Sequence, residues 1–106
     1  MIALNPQSKV YVATEAVDFR KGILGLKSYC KEILKKNPDS GVFFLFKNKR
    51  KTSIKILVYD GQGFWLMMKR LSKGTFPWWP TGAGKGVNLD HKELQLGKLG
   101  LGSVIN

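Results

Sequence analysis

Four aspartates (Asp18, Asp39, Asp60 and Asp90), one cysteine (Cys30) and one histidine (His91) are the side chains with which this chain could attack or cleave a bond. Metal-assisted phosphodiester cleavage needs carboxylates that converge on two ions about 4 Å apart. Each aspartate instead has a local structural reading. Asp18 and Asp90 stand ahead of apolar-periodic stretches as helix N-caps, Asp39 sits in the turn NPDSG, and Asp60 closes an apolar run before GQG. No serine or cysteine nucleophile can be tied to His91. One cysteine and one histidine build neither a disulfide nor a zinc site within one chain. The glycine stretch TGAGKGVN fails the phosphate-loop pattern, because Gly86 follows Lys85 and position 79 is a tryptophan, and it reads as a loop. No catalytic residue, metal ligand or cofactor is assigned.

The cations carry more information. Eighteen Lys and Arg against seven Asp and Glu give +11, and the pI is near 10.0. Such a chain repels itself, and a polyanion relieves the repulsion, so nucleic acid leads the partner classes. KNKRK, Lys47 to Lys51, falls at an expected hairpin tip, where Lys47, Lys49, Arg50 and Lys51 reach outward. KRLSK contributes Lys69, Arg70 and Lys73, and Phe76 follows it, then Trp78 and Trp79 between Pro77 and Pro80. Arg20 and Lys21 fall in the first turn of an expected helix, where the dipole disfavours cations and a bound anion would offset the cost. Together with Lys55 these cations form the candidate phosphate-binding set. Phe76, Trp78 and Trp79 are candidates to stack on a base or anchor a partner.

The expected elements that must position them make one α+β domain spanning residues 1–106. KVYVAT is a first strand. Phe19, Ile23, Leu26, Cys30, Ile33 and Leu34 draw one apolar stripe on a helix that Asp18 starts and Asn37-Pro38 stops. VFFLF, TSIKILVYD and FWLMMKRL, separated by KNKRK and GQG, predict an antiparallel meander of three or four strands. Ile54, Ile56 and Val58 share one side of the middle run, and Lys55, Leu57 and Tyr59 the other. Both faces of the sheet therefore need a cover. A three-residue loop at Gly61 to Gly63 would set Lys55 opposite Lys69, a like-charge pair that invites an anion. Asp90 with Glu93 suggests a capped, short C-terminal helix that Gly97 and Gly100 weaken. No apolar run approaches the ~20 residues needed to span a bilayer, and no secretory leader is recognisable, so a cytoplasmic protein without membrane contact is expected.

Taken in order, DFRKG, PDSG, VFFLFKNKR, IKILVYDGQGFWLMMKRLSKGTF and the tryptophan with proline that follows resemble the accessory proteins called TnpB. These are the products of the second open reading frame of bacterial insertion sequences of the insertion-sequence-sixty-six family. The resemblance runs from about Val10 to about Leu101. It implies a non-enzymatic role in transposition beside a separate, larger transposase, with no cofactor. DNA, in particular the element ends, and the transposase become the expected partners, with self-association as a further possibility. The alternative is an adaptor that docks on the transposase or on itself through an apolar sheet face, without touching nucleic acid. Two departures stand out: FPWWP replaces the family's phenylalanine, any residue, tryptophan, proline, and glycines interrupt a C-terminal helix that is elsewhere leucine-rich.

Overall fold

β-Branched and aromatic residues dominate the stretches that become strands, and their alternation decides which face each side chain takes. The structure, a computed structural model, describes Leu4, residues 8–89 and residues 92–101, the side chains of 92–94 excepted. In chain order the elements are β1 (Val10–Ala13), α1 (Ile23–Glu32), a 3-10 turn over Pro38–Ser40, β2 (Phe43–Lys47), β3 (Ser53–Tyr59), β4 (Phe64–Arg70), β5 (Gly86–Asn88) and α2 (Lys92–Lys98). The strands form one sheet in the order β4-β3-β2-β1-β5. β2, β3 and β4 are the expected meander. β1 lies parallel to β2, as a strand must when a helix returns the chain to the same end of the sheet, and β5 runs antiparallel to β1.

The glycine-rich stretch is thus not all loop, since Gly86–Asn88 forms the edge strand β5. A three-residue strand with two polar-flanked positions carries too little periodicity to stand out in the sequence. Gly86 is needed there: a Cβ would lie 2.3 Å from Cε2 of Tyr11 on the paired strand.

α1 begins later than the sequence suggests. Its N-cap is Gly22, with no side-chain cap, and Asp18 lies four residues upstream. Asp18 instead closes a tight turn: Oδ1 accepts from the Arg20 N–H at 2.8 Å, and its carbonyl accepts from the Lys21 N–H at 3.1 Å. This local Asx-type turn competes with helix initiation and wins. Arg20 and Lys21 therefore precede the helix and lie outside its first turn, so the dipole cost expected there does not arise. At the other end Lys35 is left-handed (φ 57°), and Pro38 bars continuation.

The sheet buries both faces, as the middle strand requires. Leu26, Cys30 and Leu34 pack from the α1 segment onto Ala13, Phe44, Phe46 and Leu57. Tyr29, absent from the expected stripe, meets the Phe46 ring edge-on, with centroids 6.0 Å apart. On the opposite face Val10, Val12, Phe43, Leu45, Ile54, Ile56 and Val58 are covered by Leu4, Phe76, Trp79, Leu89, Leu96, Leu99 and Leu101. Each such side chain contributes about 1.5–3 kcal/mol of transfer free energy. The second apolar face, which the adaptor reading offers to a partner, is filled by the chain itself.

The β3–β4 register differs from the one a three-residue loop would give. Tyr59 pairs with Phe64, so the connection spans Asp60 to Gly63, and Lys55 lies opposite Met68 while Lys69 lies opposite Ile54. Asp60 sets this longer loop, because its Oδ1 accepts from the N–H groups of Gln62 (2.8 Å) and Gly63 (2.9 Å). The like-charge pair is not formed, and this strand pair has no charge repulsion that an anion would relieve. The capping pair at the C-terminal helix cannot be followed, because Asp90 lies outside the described residues; α2 itself forms, from Lys92 to Lys98.

Candidate nucleic-acid interface

Strand directions decide where the basic stretches meet. With β1 and β2 parallel and the other pairs antiparallel, the last residues of β1, β2 and β4 and the first of β3 and β5 lie at one end of the sheet. Residues 14–22, 48–52, 71–76 and 80–85 therefore crowd the same end. Backbone hydrogen bonds fasten them to one another. The Val17 N–H donates to the Lys47 carbonyl (2.9 Å), Leu71 to Thr52 (2.8 Å), Phe76 to Lys51 (2.8 Å) and Thr14 to Lys85 (2.9 Å). The β2–β3 hairpin tip thus stands between the loop after β1 and the loop after β4. Segments far apart in the sequence bring Arg20, Lys21, Lys47, Lys49, Arg50, Lys51, Arg70 and Lys73 to one end.

The tip is shaped by Asn48, whose Oδ1 accepts from the N–H groups of Thr52 (2.9 Å) and Ser53 (3.1 Å) while its Nδ2 donates to Thr52 Oγ1 (2.8 Å). Lys51 takes a left-handed conformation (φ 59°) to close the turn. Lys49, Arg50 and Lys51 are left exposed. Beside them a shallow groove of about 410 Å³ is lined by Ala16, Val17, Asp18, Phe19 and Lys49.

Among the described side chains the carboxylates at this end are Glu15 and Asp18, and both are neutralised. Lys85 Nζ contacts Glu15 Oε1 at 2.5 Å, which raises the lysine's pKa. Arg20 grips Asp18 through Nε (3.0 and 3.1 Å) and Nη2 (2.7 Å). These bonds, with the Arg20 N–H, hold the Asp18 carboxyl down to about 2. Lys21, Lys49, Arg50, Lys51, Arg70 and Lys73 have no carboxylate partner among the described residues. Lys85 and its pairing with Glu15 were not anticipated; only recognition of β5 could have signalled them.

Three candidate cations are otherwise engaged. Lys55 Nζ donates to the carbonyls of Phe19 and Lys21, both at 2.9 Å, and lies 5.0 Å from the Phe19 ring centroid. It holds the 19–21 loop against β3. Lys69 Nζ donates to the Gly100 carbonyl after α2. Lys47 sits 5.7 Å from the Trp79 ring centroid, and burial first, then repulsion from Lys51, lowers its pKa.

The aromatic trio divides as well. Phe76 and Trp79 are buried in the core, and Trp79 Nε1 donates to the Ala13 carbonyl at 2.9 Å, tying the segment after β4 to β1. Trp78 is half-buried, with Lys98 Nζ 5.0 Å above its ring. The aromatic cluster after KRLSK is thus mainly an anchor that fixes the basic loop in place, and Trp78 alone of the three keeps an accessible ring.

No group of three or more His, Cys, Asp or Glu side chains among the described residues is placed to hold a metal ion. Cys30 is buried, and burial pushes its thiol up to about 12. Among the described residues no helix is long and apolar enough to cross a membrane.

The model of the family described as IS66 Orf2 like protein matches residues 8–103. The chain belongs to the IS66 Orf2-like family. Members of this family are accessory proteins of insertion sequences, and the family is not a known catalytic one. Two proteins of Sinorhizobium fredii, y4hO and y4jC, both named as uncharacterized, are each 33% identical to this IS66 Orf2-like chain. The first aligns over 94 residues, 89% of this chain and 81% of its own length; the second over 101 residues, 95% and 86%. No solved structure matches.

Proposed function

We propose that this IS66 Orf2-like protein is a non-enzymatic DNA-binding factor of transposition that lays the basic end of its sheet along the sugar-phosphate backbone. One observation carries the reading: four separate loops converge on one end of the sheet, the carboxylates described there are paired, and Lys21, Lys49, Arg50, Lys51, Arg70 and Lys73 are not. Cations concentrated on one surface of a +11 chain release counterions when they meet phosphates, and this drives binding. The Asn48-pinned hairpin tip is the projecting element, and Trp78 is the ring available to a base or to the transposase. Lys55, Phe76 and Trp79 act behind this surface by holding its loops, and Lys69 is engaged by the Gly100 carbonyl. The element ends are the expected DNA, the transposase of the same element is the expected protein partner, and the cytoplasm is the place of action. The catalytic carboxylates belong in this reading to the transposase.

Binding to element-end duplex, unrelated duplex and single-stranded DNA of equal length, titrated with salt, tests the proposal. A steep fall in affinity with salt is expected, with a preference for the element end if this protein supplies recognition. Binding that ignores salt, or no binding at low salt, refutes the phosphate-directed reading.

A further inference from the structure

β4 is an edge strand among the described residues, seven residues long and free of proline and glycine, and it carries Trp65 and Met68 exposed at 44% and 60%. Most proteins blunt such an edge, because its outward N–H and C=O groups invite another strand. Here the Leu71 N–H bonds to Thr52 on the β3 side, and the Gly63 carbonyl bonds back to Asp60. Odd-numbered residues of β4 therefore turn their backbone groups toward β3. Phe64, Leu66, Met68 and Arg70 turn theirs outward.

We propose that the outer edge of β4 pairs antiparallel with β4 of a second copy of this chain, about a two-fold axis through Met67. Three features select that partner and that register. First, centring on Met67 gives every residue of the strand a partner. It matches outward-facing residues with each other, Leu66 with the partner's Met68 and Phe64 with the partner's Arg70, so the backbone groups that no described strand takes up close into a ladder. Second, the strand's own cations are kept apart: Lys69 falls opposite the partner's Trp65 and Arg70 opposite the partner's Phe64, so no two cations of the paired strands stand opposite each other. Centring on Lys69 or Arg70 would stack like charges, and centring on Leu66 would leave both cations without a β4 residue opposite. Third, the pairing brings the Asp60 loop beside the partner's Lys73, and Asp60 is held as a carboxylate by the N–H groups of Gln62 and Gly63 and by Trp65 Nε1 at 2.7 Å. That last bond also orients the exposed indole.

The dimer joins two five-stranded sheets into one and covers Met68 and Trp65. It also sends the two basic ends in opposite directions, so one dimer could hold two DNA segments; only this consequence rests on the DNA-binding reading.

Sedimentation equilibrium without DNA, at moderate salt to screen the net charge, measures the association, so its result is independent of whether DNA binds. A species of twice the 11.9 kDa chain mass is expected. Met68→Lys, at an exposed position, should weaken it by about tenfold or more, because symmetry places the new charge against Leu66 twice. Met67→Cys should cross-link under mild oxidation, since self-opposed residues bring their Cβ atoms within disulfide reach, while Arg70→Cys should not. Buried Cys30 does not compete. A chain that stays monomeric and does not cross-link through Met67→Cys overturns the proposal. So does a dimer indifferent to Met68→Lys, or one that cross-links as readily through Arg70→Cys.

Discussion

Neutralising the β2–β3 tip isolates the electrostatic term of DNA binding. Lys49→Gln, Arg50→Gln and Lys51→Gln together remove exposed charges that make no described ion pair, leaving Asn48 to pin the turn. Glutamine at position 51 meets the same left-handed backbone as lysine, so the turn should keep its shape. If the unpaired cations at the basic end contact about six phosphates, the wild-type slope of log K against log salt is about −5.4; without the three tip charges it falls to about −2.7. With the non-electrostatic part unchanged, the loss at 0.1 M salt is about 2.7 log units, or roughly 500-fold, equivalent to about 3.7 kcal/mol. Fluorescence anisotropy of a labelled duplex across a salt series reads both numbers, and thermal melting confirms that the variant is folded. A folded variant with an unchanged slope refutes the reasoning, because the tip would then touch no phosphate.

Other consequences follow from the same contacts. Trp79→Phe keeps most of the buried ring but leaves the Ala13 carbonyl without its donor; a loss of about 1–3 kcal/mol in denaturant unfolding is expected, with the salt slope of DNA binding unchanged. Asp18 should titrate by NMR with a midpoint of about 2, and Arg20→Gln should return it toward the usual carboxylate range. Because the folded value is depressed, the contribution of the pair is present above the usual 3.8 and disappears as pH falls through about 2. Cys30 should resist thiol reagents in the native protein and react at the rate of opening, so labelling should accelerate in destabilised variants such as Trp79→Phe and stay slow in the tip variant.

The fold was legible where periodicity was strong. The meander shows in three apolar runs with turn residues between them, and the two-sided burial of β3 shows in its lack of polar alternation. Several of the failures share one cause, competition by local hydrogen bonding that residue spacing does not reveal, whereas β5 was missed because three residues carry too little periodicity. Asp18 caps a turn instead of a helix, Asn48 shapes the hairpin tip, and Asp60 lengthens the β3–β4 loop by one residue, shifting every cross-strand partner. The candidate site was legible as a list of cations but not as a place. Only the parallel β1–β2 pair, made over a long sequence separation, determines that the loops after β1, β2 and β4 share an end. Burial then sorted the list, drawing Phe76 and Trp79 into the core and engaging Lys55 and Lys69 with backbone carbonyls.

The location of the DNA surface is the central claim, and amide chemical-shift mapping with a short duplex tests it most directly. The account predicts perturbations concentrated in residues 14–22, 48–52 and 70–76, fading with added salt, and little change in residues 37–42 and the Asp60 to Gly63 loop at the opposite end. Shifts centred on that opposite end, or none in the hairpin tip while DNA is bound, would contradict it.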